Sequence, residues 1–419
     1  MPARQSRDGD GVAATTGRAA QASGVVHWVG TGLSTGRSGL GLLCRDARRV
    51  VLWDRTVERA AQRLDALGLG GRAEVRALTP GALEAAVGAG DVVASMLPAS
   101  QHPRLLAVAA ARGAHFACTS YTTPELAEQA AQGAGRGLVV VTESGLDPGI
   151  DHLLAHRLVE RARREVGEGP ATARFTSYCG GVPAVPDEFR YRFSWAPYGV
   201  LAALRTPARY LDGGTERTAP RPWEAVRLLA VGGETFEVYP NRDSLPFIAQ
   251  YGFPPAWRLA TFVRGTLRHE GWRAAWRDVF ATVAGGDEGR IRDLADDLAR
   301  AHPTTPADRD RVVLHVELTL APEAAGGDGA EPGWRGGELL DVTGSAEESA
   351  MARCVGLPLA HAVTRVVDGA LRPGLQRAAE SPGEVAGWLE ALRQHGLTTT
   401  SCAPAPARPD ARGPDPGAA

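Results

Sequence analysis

The chain contains no lysine. All 46 of its basic residues are arginine and 48 residues are acidic, which gives a formal net charge of −2. Without lysine there can be no P-loop lysine, no Schiff base between the protein and pyridoxal phosphate or a carbonyl substrate, and no Ser–Lys nucleophile pair. The near-neutral charge also differs from the strongly basic face of a nucleic-acid-binding protein. We therefore expect small-molecule chemistry and no nucleic-acid partner.

Paired cysteines and long apolar runs are also missing. The five cysteines are scattered, without a CxxC pair or a cluster of cysteine and histidine. This is typical of a reduced, cytoplasmic protein with neither a disulfide framework nor a zinc site. No uninterrupted apolar run approaches the roughly 18 residues that a membrane-spanning helix needs. We expect a cytoplasmic location, no membrane partner and no bound metal.

The length of 419 residues exceeds what one hydrophobic core usually serves and suggests two or three domains. Residues 1–23 are rich in Arg, Asp and Gly, lack the apolar centre of a signal peptide, and are predicted to form a disordered leader. Residues 401–419 contain a proline-rich string and are predicted to form a disordered tail.

Between residues 24 and 144, short apolar runs alternate with stretches of helical length. The runs are 25–29, 50–53, 74–78, 91–97, 115–119 and 138–141. Apolar runs of this length that alternate with helices indicate buried parallel strands in βαβ units. The pattern predicts an α/β fold with a doubly wound parallel sheet of the Rossmann type.

A glycine-rich segment follows the first predicted strand. It reads Gly30-Thr31-Gly32-Leu33-Ser34-Thr35-Gly36. In this context Gly30 permits a tight turn, and Gly32 lets a pyrophosphate approach the free amides of a helix N-terminus. Thr35 occupies the place of the usual third glycine, and an ordinary glycine-rich turn is the alternative interpretation. We predict that residues 30–34 bind a dinucleotide.

The choice of cofactor depends on the end of the second strand, where Asp54, Arg55 and Thr56 follow one another. An acid at this place binds the ribose 2′-hydroxyl of NAD, whereas an arginine can pair with the 2′-phosphate of NADP. A solvated surface pair is a third interpretation. We expect NADP, and Asp54 leaves NAD open.

Acidic residues, a histidine and two glycines follow the sixth predicted strand. The segment reads Glu143-Ser144-Gly145-Leu146-Asp147-Pro148-Gly149-Ile150-Asp151-His152. The carboxyl ends of strands are where an open α/β sheet binds ligands. Pro148 and Gly149 predict a turn that holds Asp147 at a loop–helix junction. Capping of the following helix is the alternative role for Asp147 or Asp151.

Further strings occur in a fixed order along the chain. They are TSY at 119–121, GLDPGIDH at 145–152, SYCGG at 177–181, FSW at 193–195, YPNRDS at 239–244, RGTLR at 264–268, SAMA at 349–352 and VGLP at 355–358. From the glycine-rich segment to about residue 375, the chain resembles the saccharopine reductase family, the NADP-dependent, glutamate-forming saccharopine dehydrogenases. The resemblance implies a Rossmann domain at 24–144 and an α+β substrate domain at 145–344 with a helical lobe at about 255–310. It also implies a C-terminal segment at 345–400 that packs back on the Rossmann domain.

The resemblance implies that NADPH reduces the imine of L-glutamate and 2-aminoadipate 6-semialdehyde to saccharopine, reversibly. Such an imine forms between two substrates, so no enzyme lysine is required. Catalytic roles are implied for Tyr121, Asp147 and Cys179. A packed aromatic ring and an inert buried thiol are the alternatives for Tyr121 and Cys179.

The resemblance also implies two sets of binding residues. The cofactor set adds Leu97, Thr119, Ser120, Leu146, Pro148, Ser194 and Trp195 to Gly30, Thr31, Gly32, Leu33, Ser34, Asp54, Arg55 and Thr56. The substrate set is Ser120, Tyr121, Asp147, Arg242, Thr266, Leu267 and Arg268. Arg242 and Arg268 are the expected carboxylate anchors, because a guanidinium grips a carboxylate through two parallel hydrogen bonds.

Three departures from the family pattern leave alternatives open. Ala99 stands where the family has an aromatic residue, Asp54 replaces a small residue, and the region 278–311 is short for a helical lobe. One alternative function is a related imine reductase for another amine and aldehyde, of the carboxynorspermidine or opine type. Another is a non-catalytic NADP-binding scaffold. A homodimer is also left open.

Overall fold

The computed structural model describes residues 17–305, 307–322 and 333–402. The chain divides into two compact units. Of the described residues, the first takes in 17–149 together with Val355–Ala378, and the second takes in those within Ile150–Cys354 together with 379–402. The first boundary falls after Gly149 rather than after residue 144. The physical reason is that the 145–149 loop folds onto itself, with the Gly145 amide donating to the Pro148 carbonyl at 2.9 Å.

The first unit is built on a seven-stranded parallel sheet with the order β15-β6-β5-β4-β1-β2-β3. Its strands are β1 (Val25–Val29), β2 (Arg49–Asp54), β3 (Glu74–Ala77), β4 (Val92–Ser95), β5 (His115–Cys118), β6 (Val139–Val141) and β15 (Gly374–Gln376). Its helices are α1 (Arg37–Asp46), α2 (Val57–Ala66), α3 (Ala82–Ala86), α4 (His102–Ala111) and α5 (Pro124–Ala134), and α12 (Ala350–Val367) continues into it from the second unit. The predicted Rossmann-type α/β fold is confirmed.

The strand order explains where this unit can bind a ligand. β1 pairs with β2 on one side and with β4 on the other, so the winding of the sheet reverses at β1. Ligands of open α/β sheets bind at such a switch point, beyond the carboxyl ends of the strands. Every residue of β1 and β4 is buried, as expected for strands covered on both faces.

Two terminal predictions change. Residues 17–23 of the expected leader are part of the first unit, since the Ala20 amide donates to the Gly137 carbonyl and the Ser23 amide to the Gly90 carbonyl, each at 2.8 Å. Residues 1–16 lie outside the described residues. Residues 401 and 402 of the expected tail belong to a strand, and residues 403–419 also lie outside the described residues.

The second unit is built on a nine-stranded mixed sheet whose main path runs β10-β11-β12-β7-β13-β14-β16. Its strands are β7 (Ala171–Pro183), β8 (Ala208–Asp212), β9 (Thr215–Ala219), β10 (Arg227–Val231), β11 (Glu234–Pro240), β12 (Trp257–His269), β13 (Asp310–Pro322), β14 (Trp334–Thr343) and β16 (Thr399–Cys402). Its helices are α6 (Ile150–Val166), α7 (Pro197–Leu204), α8 (Phe247–Gln250), α9 (Trp272–Ala275), α10 (Arg277–Gly285), α11 (Glu288–Ala301) and α13 (Pro382–Gln394). The expected α+β character is confirmed.

The expected helical lobe at about 255–310 is helical only over 272–301. Residues 257–269 form β12, which is buried from Ala260 to His269 and pairs with β7 on one side and β11 on the other. Trp272 and Trp276 are fully buried in the core of the lobe.

The C-terminal segment divides between the units. Residues 355–378 belong to the first unit, where Gly39 of α1 and Gly356 of α12 touch so closely that a Cβ on Gly39 would overlap the Gly356 carbonyl. Residues 379–402 belong to the second unit, and β16 pairs with β14 there. The expectation that all of 345–400 packs on the Rossmann domain is therefore too broad. Among the described residues, no helix combines the length and apolar character that crossing a membrane requires.

Candidate active site

The glycine-rich turn has the geometry that a dinucleotide needs. Gly30 has a φ of 109°, and a Cβ on it would lie 3.0 Å from Leu97 Cδ2 and 3.2 Å from the Met96 carbonyl carbon. A side chain at Gly30 would therefore be strained and crowded. A Cβ on Gly32 would meet nothing within 4 Å, and Gly36, at the N-terminus of α1, makes no side-chain cap. The turn thus leaves open space for an anion beside the N-terminus of α1.

Thr35 explains why this turn departs from the usual fingerprint. Its hydroxyl donates to the Gly30 carbonyl at 2.9 Å and accepts from the Trp28 indole at 3.2 Å. The Thr35 side chain is fully buried. Residue 35 is still part of the turn, since α1 begins only at Arg37. A threonine here fastens the turn to β1, whereas Leu33 is 52% exposed on its outside.

At the end of β2 the acid faces inward and the arginines face outward. Asp54 is 8% exposed; one carboxylate oxygen accepts from the Thr31 hydroxyl, and the other accepts from the Arg55 amide at 2.5 Å. Arg59, which the sequence did not single out, places its Nε 3.5 Å from Asp54 Oδ1. Arg55 is exposed and has no ion-pair partner among the described residues. The Thr56 side chain caps α2 by accepting from the Arg59 amide at 3.3 Å.

The first unit brings two of the three expected catalytic residues together. The Tyr121 hydroxyl donates to Asp147 Oδ1 at 2.9 Å, and both side chains are half-buried. Glu143 supports the Tyr121 segment, since its amide donates to the Ser120 carbonyl at 3.0 Å and its carboxylate accepts from the Thr122 amide at 2.9 Å. Tyr121 and Asp147 therefore form a hydrogen-bonded pair on two loops that are joined to each other.

The loop that carries Asp147 requires glycine at its end. Gly149 has a φ of 145°, and a Cβ on it would overlap the Gly145 carbonyl oxygen. The side chains of Leu146 and Pro148 are buried, so any contact that they make with a cofactor would come from the backbone. Thr119 packs against Gly145, where a Cβ would lie 3.0 Å from Thr119 Cβ.

His102 is a buried residue that the sequence reasoning missed. Its Nδ1 lies 3.1 Å from Ser95 Oγ at the end of β4, and its Nε2 lies 2.8 Å from Ser120 Oγ after β5. Burial lowers the pKa of His102 to about 4. The only signal in the sequence was a histidine shortly after the fourth strand. Ala99 lies in an exposed turn before it.

In the second unit, the strand register places several expected substrate residues on one face of the sheet. Thr266 of β12 lies opposite Cys179 of β7 and Tyr239 of β11. Arg268, two residues further along β12, is on the same face, because side chains alternate along a strand. Leu267 is on the opposite face with Val263 and Val238, in a separate apolar core. Its side chain cannot share a ligand with Thr266; only its carbonyl, which accepts from Arg268 at 2.9 Å, lies beside them.

Arg268 is a buried cation held among aromatic rings. Its guanidinium carbon lies 4.8 Å from the centre of the Tyr191 ring, 5.6 Å from Trp272 and 6.0 Å from Tyr239. Burial raises the pKa of Tyr191 and of Tyr239, so neither phenol offers a counter-charge. Within the described residues Arg268 has no carboxylate partner.

Glu237 is the acid best placed to pair with Arg268, since the two are opposite each other on β11 and β12. Its carboxylate instead accepts from the Gly271 amide at 3.0 Å and from the Arg273 amide at 2.7 Å. Both oxygens are thus committed to the start of α9. The Arg268 guanidinium is left with a buried positive charge that a ligand carboxylate could neutralise.

Arg264 lies on the same face of the sheet as Arg268 but, unlike Arg268, it has a carboxylate partner. It donates to Asp151 Oδ2 at 2.5 Å, and both side chains are buried. Asp151 therefore holds an arginine instead of only capping α6. His152 Nδ1 lies 2.8 Å from the Tyr251 hydroxyl.

Arg242 is remote from Arg268. It is exposed, has a φ of 56° and follows β11, and the neighbouring Asn241 amide donates to the Arg264 carbonyl at 2.9 Å. Arg264 and Arg268 are four residues apart on β12, a separation of about 13 Å along a strand. The backbone at Arg242 is therefore beside Arg264 and not beside Arg268.

The FSW residues lie beside the SYCGG string of β7. A Cβ on Gly181 would lie 2.8 Å from Ser194 Oγ, and this buried hydroxyl has no hydrogen-bond partner among the described residues. Trp195 is half-buried against the core of the helical lobe. No group of three His, Cys, Asp or Glu side chains that could hold a metal ion occurs in the described part of the chain.

A parallel sheet with a glycine-rich turn after its first strand places the first unit in the class of Rossmann-fold dinucleotide-binding domains. Residues 26–141 match the saccharopine dehydrogenase NADP-binding domain, and residues 145–397 match the saccharopine dehydrogenase C-terminal domain. The chain belongs to the saccharopine dehydrogenase family. The expectations of this family and of an NADP-type domain are confirmed.

Three relatives show how far the likeness extends. The chain is 36% identical over 197 residues to the saccharopine dehydrogenase (NADP(+), L-glutamate-forming) of Schizosaccharomyces pombe, which covers 46% of this chain and 42% of that protein. For the enzyme of the same name from Saccharomyces cerevisiae the identity is 38% over 197 residues, with 46% and 43% covered. For the mitochondrial alpha-aminoadipic semialdehyde synthase of Bos taurus it is 36% over 211 residues, with 46% and 21% covered. The aligned regions span less than half of these relatives.

Solved structures agree on the fold. Apo saccharopine dehydrogenase (L-Glu forming) from Saccharomyces cerevisiae superposes with a TM-score of 0.72 at 24% identity, covering 90% of this chain and all of the other. The homospermidine synthase of Legionella pneumophila, in complex with NAD, superposes with a TM-score of 0.59 at 8% identity, covering 92% of each chain.

Proposed function

We propose that the protein is an NADP-dependent saccharopine reductase. It would reduce the imine of L-glutamate and 2-aminoadipate 6-semialdehyde to saccharopine and catalyse the reverse oxidation. The observation that carries this proposal is the buried Arg268 guanidinium without a carboxylate partner. Leaving a buried charge uncompensated is costly unless a ligand supplies the counter-charge, and saccharopine carries three carboxylates.

The residues of the first unit fit a phosphorylated dinucleotide. The open space over Gly32 and the uncapped start of α1 would take the pyrophosphate. Arg55 would pair with the 2′-phosphate, with Arg59 beside it. Asp54 supports NADP over NAD, because both of its oxygens are already used and it is buried rather than turned to a ribose. The bound cofactor supplies a hydride; the remaining steps belong to this chain.

Tyr121 and Asp147 have the arrangement of a proton donor and the group that orients it. The Tyr121 hydroxyl donates to the Asp147 carboxylate at 2.9 Å, so Asp147 holds the phenol in place. We assign this pair to protonation of the substrate nitrogen. Cys179 and Thr266 would contribute a thiol and a hydroxyl on the same face as Arg268. Arg242 would hold a second carboxylate.

Turnover measurements test the proposal. The purified protein is given saccharopine with NADP or NAD, and the formation of reduced nicotinamide is followed by absorbance. We expect turnover with saccharopine and NADP and a much lower kcat/KM with NAD. Secondary amines that lack one carboxylate serve as matched substrates, since a polyamine-type product would leave Arg268 without its counter-charge. If the protein oxidises such an amine but does not oxidise saccharopine, it is a related imine reductase and not a saccharopine reductase.

We also infer a cytoplasmic location, which is supported by the presence of all five cysteines as thiols. A homodimer stays a prediction, and sedimentation velocity of the purified chain would test it.

A further inference from the structure

His102 joins two loops that follow neighbouring strands of the parallel sheet. It is the first residue of α4, and its imidazole is 1% exposed. One ring nitrogen is within hydrogen-bonding distance of Ser95, which ends β4, and the other is within reach of Ser120, which follows β5 and precedes Tyr121. Because β4 and β5 are paired in parallel, these loops lie at the ligand-binding edge of the sheet.

The direction of each hydrogen bond follows from Ser95. Its side chain is completely buried, and its Oγ accepts a long bond from the Leu97 amide at 3.4 Å. A buried hydroxyl hydrogen needs an acceptor, and in the part of the chain that the structure describes, His102 Nδ1 is the acceptor of the Ser95 side chain. Ser95 must therefore donate to Nδ1. The ring proton is then on Nε2, which donates to Ser120 Oγ at 2.8 Å.

This order of donors determines what Ser120 can do. Its oxygen is already accepting from His102, so its own hydrogen is the one left to donate. Ser120 is half-buried, and its hydroxyl has no second partner among residues 17–305, 307–322 and 333–402. We propose that His102 is a positioning residue that fixes the Ser120 hydroxyl as a hydrogen-bond donor to a carboxylate of the substrate. The proposal rests on the proposed function, because a product with several carboxylates supplies the acceptor.

A purely structural role for His102 is the competing explanation, since its ring also packs edge-on against Phe116 at 6.1 Å. A matched pair of variants separates the two. His102→Leu keeps an apolar side chain of similar size and removes both hydrogen bonds, whereas His102→Gln carries an amide N–H close to the position of Nε2. A packing role predicts the same loss for both variants, and a donor role predicts partial rescue by glutamine.

Kinetics with saccharopine provide the first readout. We expect His102→Leu and Ser120→Ala each to raise KM for saccharopine about tenfold or more, as for the loss of one hydrogen bond to a charged group. KM for NADP should change little. In the Ser120→Ala background, His102→Leu should have no further effect on KM, because its action passes through Ser120. An equal effect of His102→Leu in both backgrounds, or a lower Tm with unchanged KM, would overturn the proposal.

The protonated ring nitrogen provides the second readout and does not depend on turnover. Long-range proton–nitrogen correlation spectra of 15N-histidine-labelled protein, assigned with His102→Gln, report which nitrogen carries the proton. We expect the Nε2–H tautomer at neutral pH. An Nδ1–H tautomer in an active enzyme would overturn the assignment of His102 alone. Absence of wild-type turnover would contradict the proposed function, and the proposal on His102 would fall with it.

Discussion

Replacing Arg268 by methionine should separate function from stability. In the free protein the Arg268 guanidinium is 6% exposed and has no carboxylate partner among the described residues. Desolvation of such an ion costs several kcal/mol. Three ring contacts, at 4.8, 5.6 and 6.0 Å, return about 0.5–2 kcal/mol each. The desolvation cost of the guanidinium and its attraction to the three rings nearly cancel. Arg268→Met should therefore leave the free energy of unfolding unchanged or raise it by about 1 kcal/mol.

Arg268→Met should change kcat/KM for saccharopine much more than it changes the free energy of unfolding. Truncating one partner of a buried, hydrogen-bonded charge pair costs about 2–5 kcal/mol. If a substrate carboxylate is that partner, kcat/KM for saccharopine should fall by about 30-fold to 5,000-fold. KM for NADP should not change, because the substitution is on the substrate sheet. Thermal unfolding and steady-state kinetics on the same preparations give both numbers.

Arg311 provides the matched control on the same sheet. It is also largely buried, but it pairs with Asp341 at 2.6 Å and with Glu234 at 2.8 Å. Arg311→Met should lower Tm, by about 2–4 °C for each kcal/mol lost, and leave kcat/KM within about twofold. If Arg268→Met lowers Tm as much as Arg311→Met does and leaves kcat/KM for saccharopine intact, Arg268 does not bind a substrate carboxylate.

Three further predictions concern the first unit. Asp147→Asn should reduce kcat by about 10²–10⁴-fold and Tyr121→Phe by a smaller factor, because their hydrogen bond prepares the proton donor; single-turnover rates check this, and unchanged rates in both variants contradict the assignment. Arg55→Ala should raise the Kd for NADPH and leave that for NADH unchanged, as measured by calorimetry; an equal loss for both cofactors would show that Arg55 does not contact the 2′-phosphate. Burial lowers the pKa of His102 from 6.5 to about 4 in the folded protein, so the unfolded chain binds the proton first as pH falls. The free energy of unfolding should therefore be highest above about pH 6.5 and fall by up to about 3 kcal/mol towards pH 4. Urea unfolding across this range measures that dependence on pH, which should be weaker in His102→Gln. A free energy of unfolding that does not change with pH in the wild type would contradict the prediction.

Much of the first unit could be predicted from the sequence because its signals are local. Five of its strands are apolar runs that a buried parallel sheet requires, and a sixth, Glu74–Ala77, is a half-buried edge strand. The seventh, Gly374–Gln376, is only three residues long, and it joins the sheet through pairing with β6 from far along the chain. No local pattern in the sequence predicts such a strand.

The second unit was harder because its site depends on register. The sequence offered Thr266, Leu267 and Arg268 together, and only the pairing of β12 with β7 and β11 shows that Leu267 faces away from the others. Likewise, Arg264 and Arg268 look equivalent in the RGTLR string. Asp151 neutralises the first, whereas the carboxylate opposite the second is used by α9.

Asp54 and His102 illustrate a different limit. The position of Asp54 predicted a group turned towards a ribose, but the Thr31 hydroxyl and the Arg55 amide draw it into the protein. His102 had no motif at all, and its significance comes from the two serines on either side of it. For both residues the sequence gives the type of side chain, but it does not show which groups that side chain forms hydrogen bonds with.

Deuterium transfer from NADPH shows directly whether this chain reduces an imine formed from glutamate. L-Glutamate and 2-aminoadipate 6-semialdehyde are incubated with the enzyme and NADPH carrying deuterium at the transferable position, and the product is analysed by mass spectrometry. We expect saccharopine with one non-exchangeable deuterium on the carbon that came from the aldehyde. Formation of no saccharopine, together with deuterium transfer to the imine of another amine, would contradict this expectation.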